Sequence, residues 1–80
     1  MIDKTLKIRL VELLEKYQKF GYYRSFDIET VGNRYTNVIL FEPNFNINNI
    51  MELLDFFKTY NFYLWSVNTH YIMYTDDSSD

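Results

Sequence analysis

Residues 51–63 (MELLDFFKTYNFY) restate a pattern the chain has already used forty residues earlier, at 11–23 (VELLEKYQKFGYY). Glu12, Leu13, Leu14 and Tyr23 recur as Glu52, Leu53, Leu54 and Tyr63. Glu15, Tyr17, Phe20 and Tyr22 return as the similar Asp55, Phe57, Tyr60 and Phe62. Gly21 becomes Asn61, and glycine and asparagine are the residues that most readily take the left-handed backbone ending a helix. Each copy therefore reads as an amphipathic helix, a left-handed stop and the start of a strand. The same likeness would also arise if two unrelated segments converged on one helix–stop–strand chemistry. The repeat constrains the fold and is silent about activity.

Asp3 is placed to cap a first helix over 3–20, in which Leu6, Leu10, Leu13, Leu14, Tyr17 and Phe20 recur on one face. Ile8 and Val11 widen that stripe, while Glu12–Lys16 and Glu15–Lys19 supply i,i+4 pairs on the other side. Lys4, Lys7 and Arg9 form a small basic cluster, which reads as a solvated helix face before it reads as a phosphate site. After Gly21 the period changes to two. Tyr22, Phe26 and Ile28 share one strand face; Tyr23, Ser25, Asp27 and Glu29 share the other. Gly32-Asn33 marks a tight turn, and the return strand ends in Val38-Ile39-Leu40-Phe41 before Pro43. A two-residue and a three-residue loop would flip its faces, so either Val38/Leu40 or Ile39/Phe41 points away from the helices.

Asn46 caps a second helix over 47–60, with Phe45 and Ile50 spaced as a hydrophobic staple. Its expected buried stripe is Ile50, Leu53, Leu54, Phe57 and Tyr60, leaving Phe56 off centre. A hairpin over 62–75 turning about Asn68-Thr69 places Phe62, Leu64, Tyr71 and Met73 on one face. Tyr63, Trp65, Val67, His70, Ile72 and Tyr74 fall on the other. The expected fold is thus α+β: a two-layer sandwich of order αββαββ, with two αββ repeats. Its four-stranded antiparallel sheet carries both helices on one face. Residues 1–75 form a single domain, and 76–80 (DDSSD) read as a disordered acidic tail.

Eighty residues allow one core with little stability to spare, and seven Phe, eight Tyr and one Trp compensate with large buried areas. No cysteine is present, which removes disulfides, thiolate nucleophiles and Cys-ligated zinc. The N-terminal residues lack a signal-peptide apolar core, no apolar run approaches a membrane span, and the expected setting is cytoplasmic. The absence of alanine beside abundant Asn, Ile, Tyr and Phe suits an AT-rich genome, such as those of certain bacteria and their phages.

Catalytic constellations are sparse, and the chain is not expected to be an enzyme or to need a cofactor. His70 is the only histidine and reads as an ordinary strand-start residue. Asp27 and Glu29 alternate on one strand face, a spacing that would hold Mg²⁺ but is also common on solvated strands. Ser25 and Ser66 have no base partner. Asp76-x-Ser78-x-Asp80 resembles the start of a calcium loop, without the glycine and glutamate that complete one.

The anomaly is the sheet face away from the helices, normally polar in such a sandwich. Tyr63, Trp65, Ile72 and Tyr74 are expected there, bordered by Tyr23, Asp27, Glu29 and His70. Three explanations compete: inverted faces or tolerated strand tyrosines, a protein interface or homodimer, and base stacking as on RNA-binding sheets. Net charge is −3 and acids border the patch, which argues against direct binding of nucleic acid. A protein partner with a basic groove, such as a host protein that itself binds nucleic acid, fits better. In size, composition and exposed aromatics the chain is similar to the small inhibitors that phages and mobile elements encode against host systems, anti-CRISPR proteins among them. The likeness implies an inhibitor of a host defence protein. The alternatives are a single-strand nucleic-acid binder and a structural homodimer.

Overall fold

A computed structural model describes residues 2–76. Helix α1 spans Lys4–Lys19 and starts where Asp3 Oδ1 accepts the Leu6 N–H at 2.8 Å. It ends at Phe20, followed by Gly21 in the left-handed region (φ 81°). Strands β1 (Ser25–Val31) and β2 (Tyr35–Phe41) make the first hairpin. A 3-10 turn at Ile47–Ile50 leads into α2 (Met51–Thr59), and Asn61 (φ 63°) stops it as Gly21 stops α1. Asn46 and Asn49 cap this start reciprocally, each side chain accepting a backbone N–H near the other. Strands β3 (Phe62–Val67) and β4 (Tyr71–Asp76) complete the αββαββ order.

The sheet runs β1-β2-β4-β3, antiparallel throughout. The second strands of the two hairpins therefore meet at the centre, an arrangement an approximate two-fold between the halves would produce. Burial alternates cleanly along β2. Thr36, Val38 and Leu40 are buried, while Tyr35, Asn37, Ile39 and Phe41 are partly exposed. Val38 and Leu40 pack with Leu10, Leu14 and Tyr17 of α1 and Leu53, Phe56 and Phe57 of α2 in one core. Both helices consequently lie on that face.

The open choice in the first hairpin is closed by its register. Val31 pairs with Tyr35 across the three residues Gly32 (φ 58°), Asn33 (φ 59°) and Arg34, so Ile39 and Phe41 point away from the helices.

Several expectations need correction. Tyr23 is not on the outer face: β1 begins only at Ser25, and Tyr23 turns into the core, where its hydroxyl donates to the Leu14 carbonyl. Ile72 and Tyr74 also face the helices, Ile72 opposite buried Leu40 and Tyr74 stacked on Phe57 at 4.4 Å. The cause is a β-bulge between Leu64 and Ser66, which inserts one extra residue and inverts β4 relative to the start of β3. The turn is also wider than two residues. Val67 pairs with Ile72, and Asn68 Oδ1 accepts the N–H groups of His70 and Tyr71 at 2.8 and 3.0 Å. His70 sits in that turn rather than at a strand start.

Phe56 is buried, because β3 folds back immediately after Asn61 and brings Phe62 to 6.4 Å from it. Phe20 and Ile8 are exposed; Phe20 lies at the helix end, its ring against Tyr17 and Tyr22. Asp76 belongs to β4 and not to a tail. It is buried, and its Oδ1 accepts the Thr36 N–H at 2.6 Å. The rest of the expected tail, 77–80, lies outside the described residues.

Candidate functional site on the outer sheet face

The register fixes the composition of the outer face. β2 contributes Tyr35, Asn37, Ile39 and Phe41; β4 contributes Tyr71, Met73 and Thr75. β3 adds Tyr63 and, from the bulge, Trp65, whose rings meet edge to face at 6.1 Å. Trp65 is 62% exposed, among the most exposed of the large apolar side chains. A β-bulge re-aims side chains by bending its strand. Here it sets an indole beside the plane of an aromatic sheet.

A shallow cavity of about 300 Å³ crosses all four strands, lined by Val31, Tyr35, Tyr63, Trp65 and Met73 with polar neighbours Asn37 and Thr75. At the other end Ser66 Oγ and Tyr71 Oη approach to 3.4 Å. Asp27 and Glu29, both exposed, stand on β1 beside Ile39 and Asn37 and edge the patch with negative charge. No ion pair or hydrogen bond engages either acid among the described residues. Arg24 is turned to Glu42 at 2.9 Å, and the Arg34 guanidinium lies 5.7 Å from the Tyr35 ring centre.

Of the eight residues expected at this site, the structure gathers Tyr63, Trp65, Asp27 and Glu29 around the outer face. Tyr23, Ile72 and Tyr74 go to the helix side, and His70 is exposed in the turn, its carbonyl accepting the Glu42 N–H at 2.7 Å. Burial raises the Tyr23 hydroxyl pKa well above its ordinary value, with the nearby Tyr17 adding to the shift, and burial raises that of Tyr74. Both are core phenols. Sequence reasoning missed Tyr71 and Met73, which it assigned to the helix side, and Tyr35. Only the bulge could have revealed the first two, and Trp65-Ser66 carries no glycine to mark it.

The helix side holds a second depression, between α1 and α2, bridged by Lys16 Nζ and Glu52 Oε2 at 3.0 Å. The hydrogen bond and charge of Glu52 raise the Lys16 pKa. This is an exposed, screened pair of mixed-charge surroundings. Among the described residues no cluster of three metal-ligating side chains occurs, and no helix is long and apolar enough to cross a membrane.

No protein-family model matches the chain, and searches of curated proteins and of solved structures find no match either.

Proposed function

We propose that the protein is a docking module whose outer sheet face binds a protein partner carrying a basic surface, and that it acts as an inhibitor by occluding that surface. The observation that carries the reading is the outer face itself. Tyr35, Ile39, Phe41, Tyr63, Trp65, Tyr71 and Met73 lie together on a sheet surface that no element of the described chain covers. Exposed apolar patches of this kind mark interfaces, and Trp and Tyr are enriched among the residues that dominate binding energy. Asp27 and Glu29 at the border, on a chain of net charge −3, select a cationic partner and speed its approach. The inhibitor reading rests on small size and a dockable face, in a cytoplasmic host setting. The favoured target is a host defence protein with a nucleic-acid-binding groove.

The test is affinity for a partner captured from host lysate, compared between the wild type and single substitutions. Trp65→Thr should weaken binding by ~2 kcal/mol or more, roughly thirtyfold, while leaving the melting temperature nearly unchanged. Asp27→Asn should slow association and flatten its salt dependence. A captured partner that binds Trp65→Thr as tightly as the wild type would exclude this face. Tight, salt-sensitive binding of oligonucleotides by the isolated protein would move the reading to nucleic acid.

A further inference from the structure

The two free edges of the sheet are built differently. β1 forms one edge and β3 the other. On β1, Asp27 and Glu29 alternate on the outer face. Two β1 strands paired antiparallel about Ile28 would set Asp27 directly opposite Glu29 of the other copy, which like charges resist. β3 (FYLWSV) carries no charge at all. It is also apolar and exposed on both faces. Tyr63 and Trp65 project outward, whereas Leu64 and Val67, opposite Tyr74 and Ile72, lie on the helix side yet remain 51% and 60% exposed. Only Phe62, at the start of the strand, is buried beside α2.

A partner lying on the outer face alone would cover Tyr63 and Trp65 and leave Leu64 and Val67 in water. A strand added at the edge, with its own flanking side chains, covers both faces at once. We infer that the β3 edge is a self-association surface, at which a second copy of this chain pairs antiparallel to give a continuous eight-stranded sheet. The choice of a second copy follows from charge and symmetry. An uncharged strand meets itself across a two-fold without repulsion, and each exposed apolar residue gains a self-complementary counterpart. Joined at β3, the two acidic β1 strands end seven strand spacings apart, roughly 33 Å, far beyond the screening length at physiological salt. The bulge bends β3, and among the described residues no strand pairs with its outer edge. The inference is carried by Leu64 and Val67, which are not on the docking face.

Sedimentation equilibrium of the full chain over a wide concentration range tests it. The expected result is a reversible shift from the 9.8 kDa monomer toward twice that mass. Leu64→Lys is half-exposed and tolerable to the fold, and should weaken the dimer by roughly a hundredfold or more, since the two-fold applies the substitution twice. Met73→Lys, on the outer face two strands in from the other edge, should leave the mass distribution unchanged while impairing partner binding. A wild type that stays monomeric at every concentration overturns the inference. So does a dimer that Met73→Lys dissociates and Leu64→Lys does not, which would put the two-fold on the outer face.

Discussion

Tyr23 and Tyr63 occupy the same place in the repeat, two residues after a left-handed helix stop, yet they have opposite fates. Tyr23 is 2% exposed with its hydroxyl on a helix carbonyl; Tyr63 is 42% exposed on the outer sheet. The halves diverge immediately after the stop. The first runs three residues, Tyr22 to Arg24, before β1 begins, and uses them to fold a tyrosine under α1. The second enters β3 at once with Phe62, which takes the core position and leaves the next residue outward. A side chain two residues past a stop is therefore assigned by the length of the connection, not by its identity.

The sharpest way to break this comparison is to truncate both tyrosines. Tyr23→Ala should cost about 3–5 kcal/mol in urea unfolding, and Tyr63→Ala under about 1 kcal/mol. Equal losses would mean that the two positions share one environment. A smaller effect, about 1–2 kcal/mol, is expected from Asn61→Val, since a β-branched residue opposes positive φ, whereas Asn61→Gly should be neutral or slightly stabilising. Matching melting temperatures for those two variants would remove the stop from the account.

The mildest change is Tyr23→Phe, which deletes one buried hydroxyl and should cost about 1 kcal/mol. It also has a pH signature. The folded-state pKa of Tyr23 is raised above the unfolded value near 10, so above that pH the unfolded chain releases a proton that the folded chain keeps. Stability is then full below about pH 10 and falls as the pH rises further. Tyr23→Phe should flatten this alkaline decline in pH-dependent denaturation, leaving the smaller share contributed by Tyr74. An unchanged slope would show that Tyr23 does not carry it.

How much of this was legible depended on whether the deciding chemistry is local. The caps at Asp3 and Asn46, the stops at Gly21 and Asn61 and the αββαββ order all follow from short-range rules, and all are present. The outer face was legible at Tyr63, Trp65, Asp27 and Glu29. It failed at Ile72 and Tyr74 because a single bulged residue, with no glycine or proline to announce it, inverts every later side chain. Phe56 was misassigned for a related reason. Its burial comes in part from Phe62 of β3 closing over it, a tertiary contact that helical periodicity does not contain. Asp76 looked like tail because acids cluster after it, yet it serves the Thr36 amide forty residues away.

That last bond lies on the seam between β2 and β4, and the seam governs how the chain reaches its fold. Local hairpins close quickly, but joining Thr36 to Asp76 requires a long loop to be closed first, which slows the decisive step. Until β4 has emerged from the ribosome, β2 presents Val38, Ile39, Leu40 and Phe41 along an open strand edge. Neither half is large enough to hold a stable core by itself. The two halves therefore depend on each other for a core, and the nascent chain is most vulnerable to wrong pairing just before its last strand arrives.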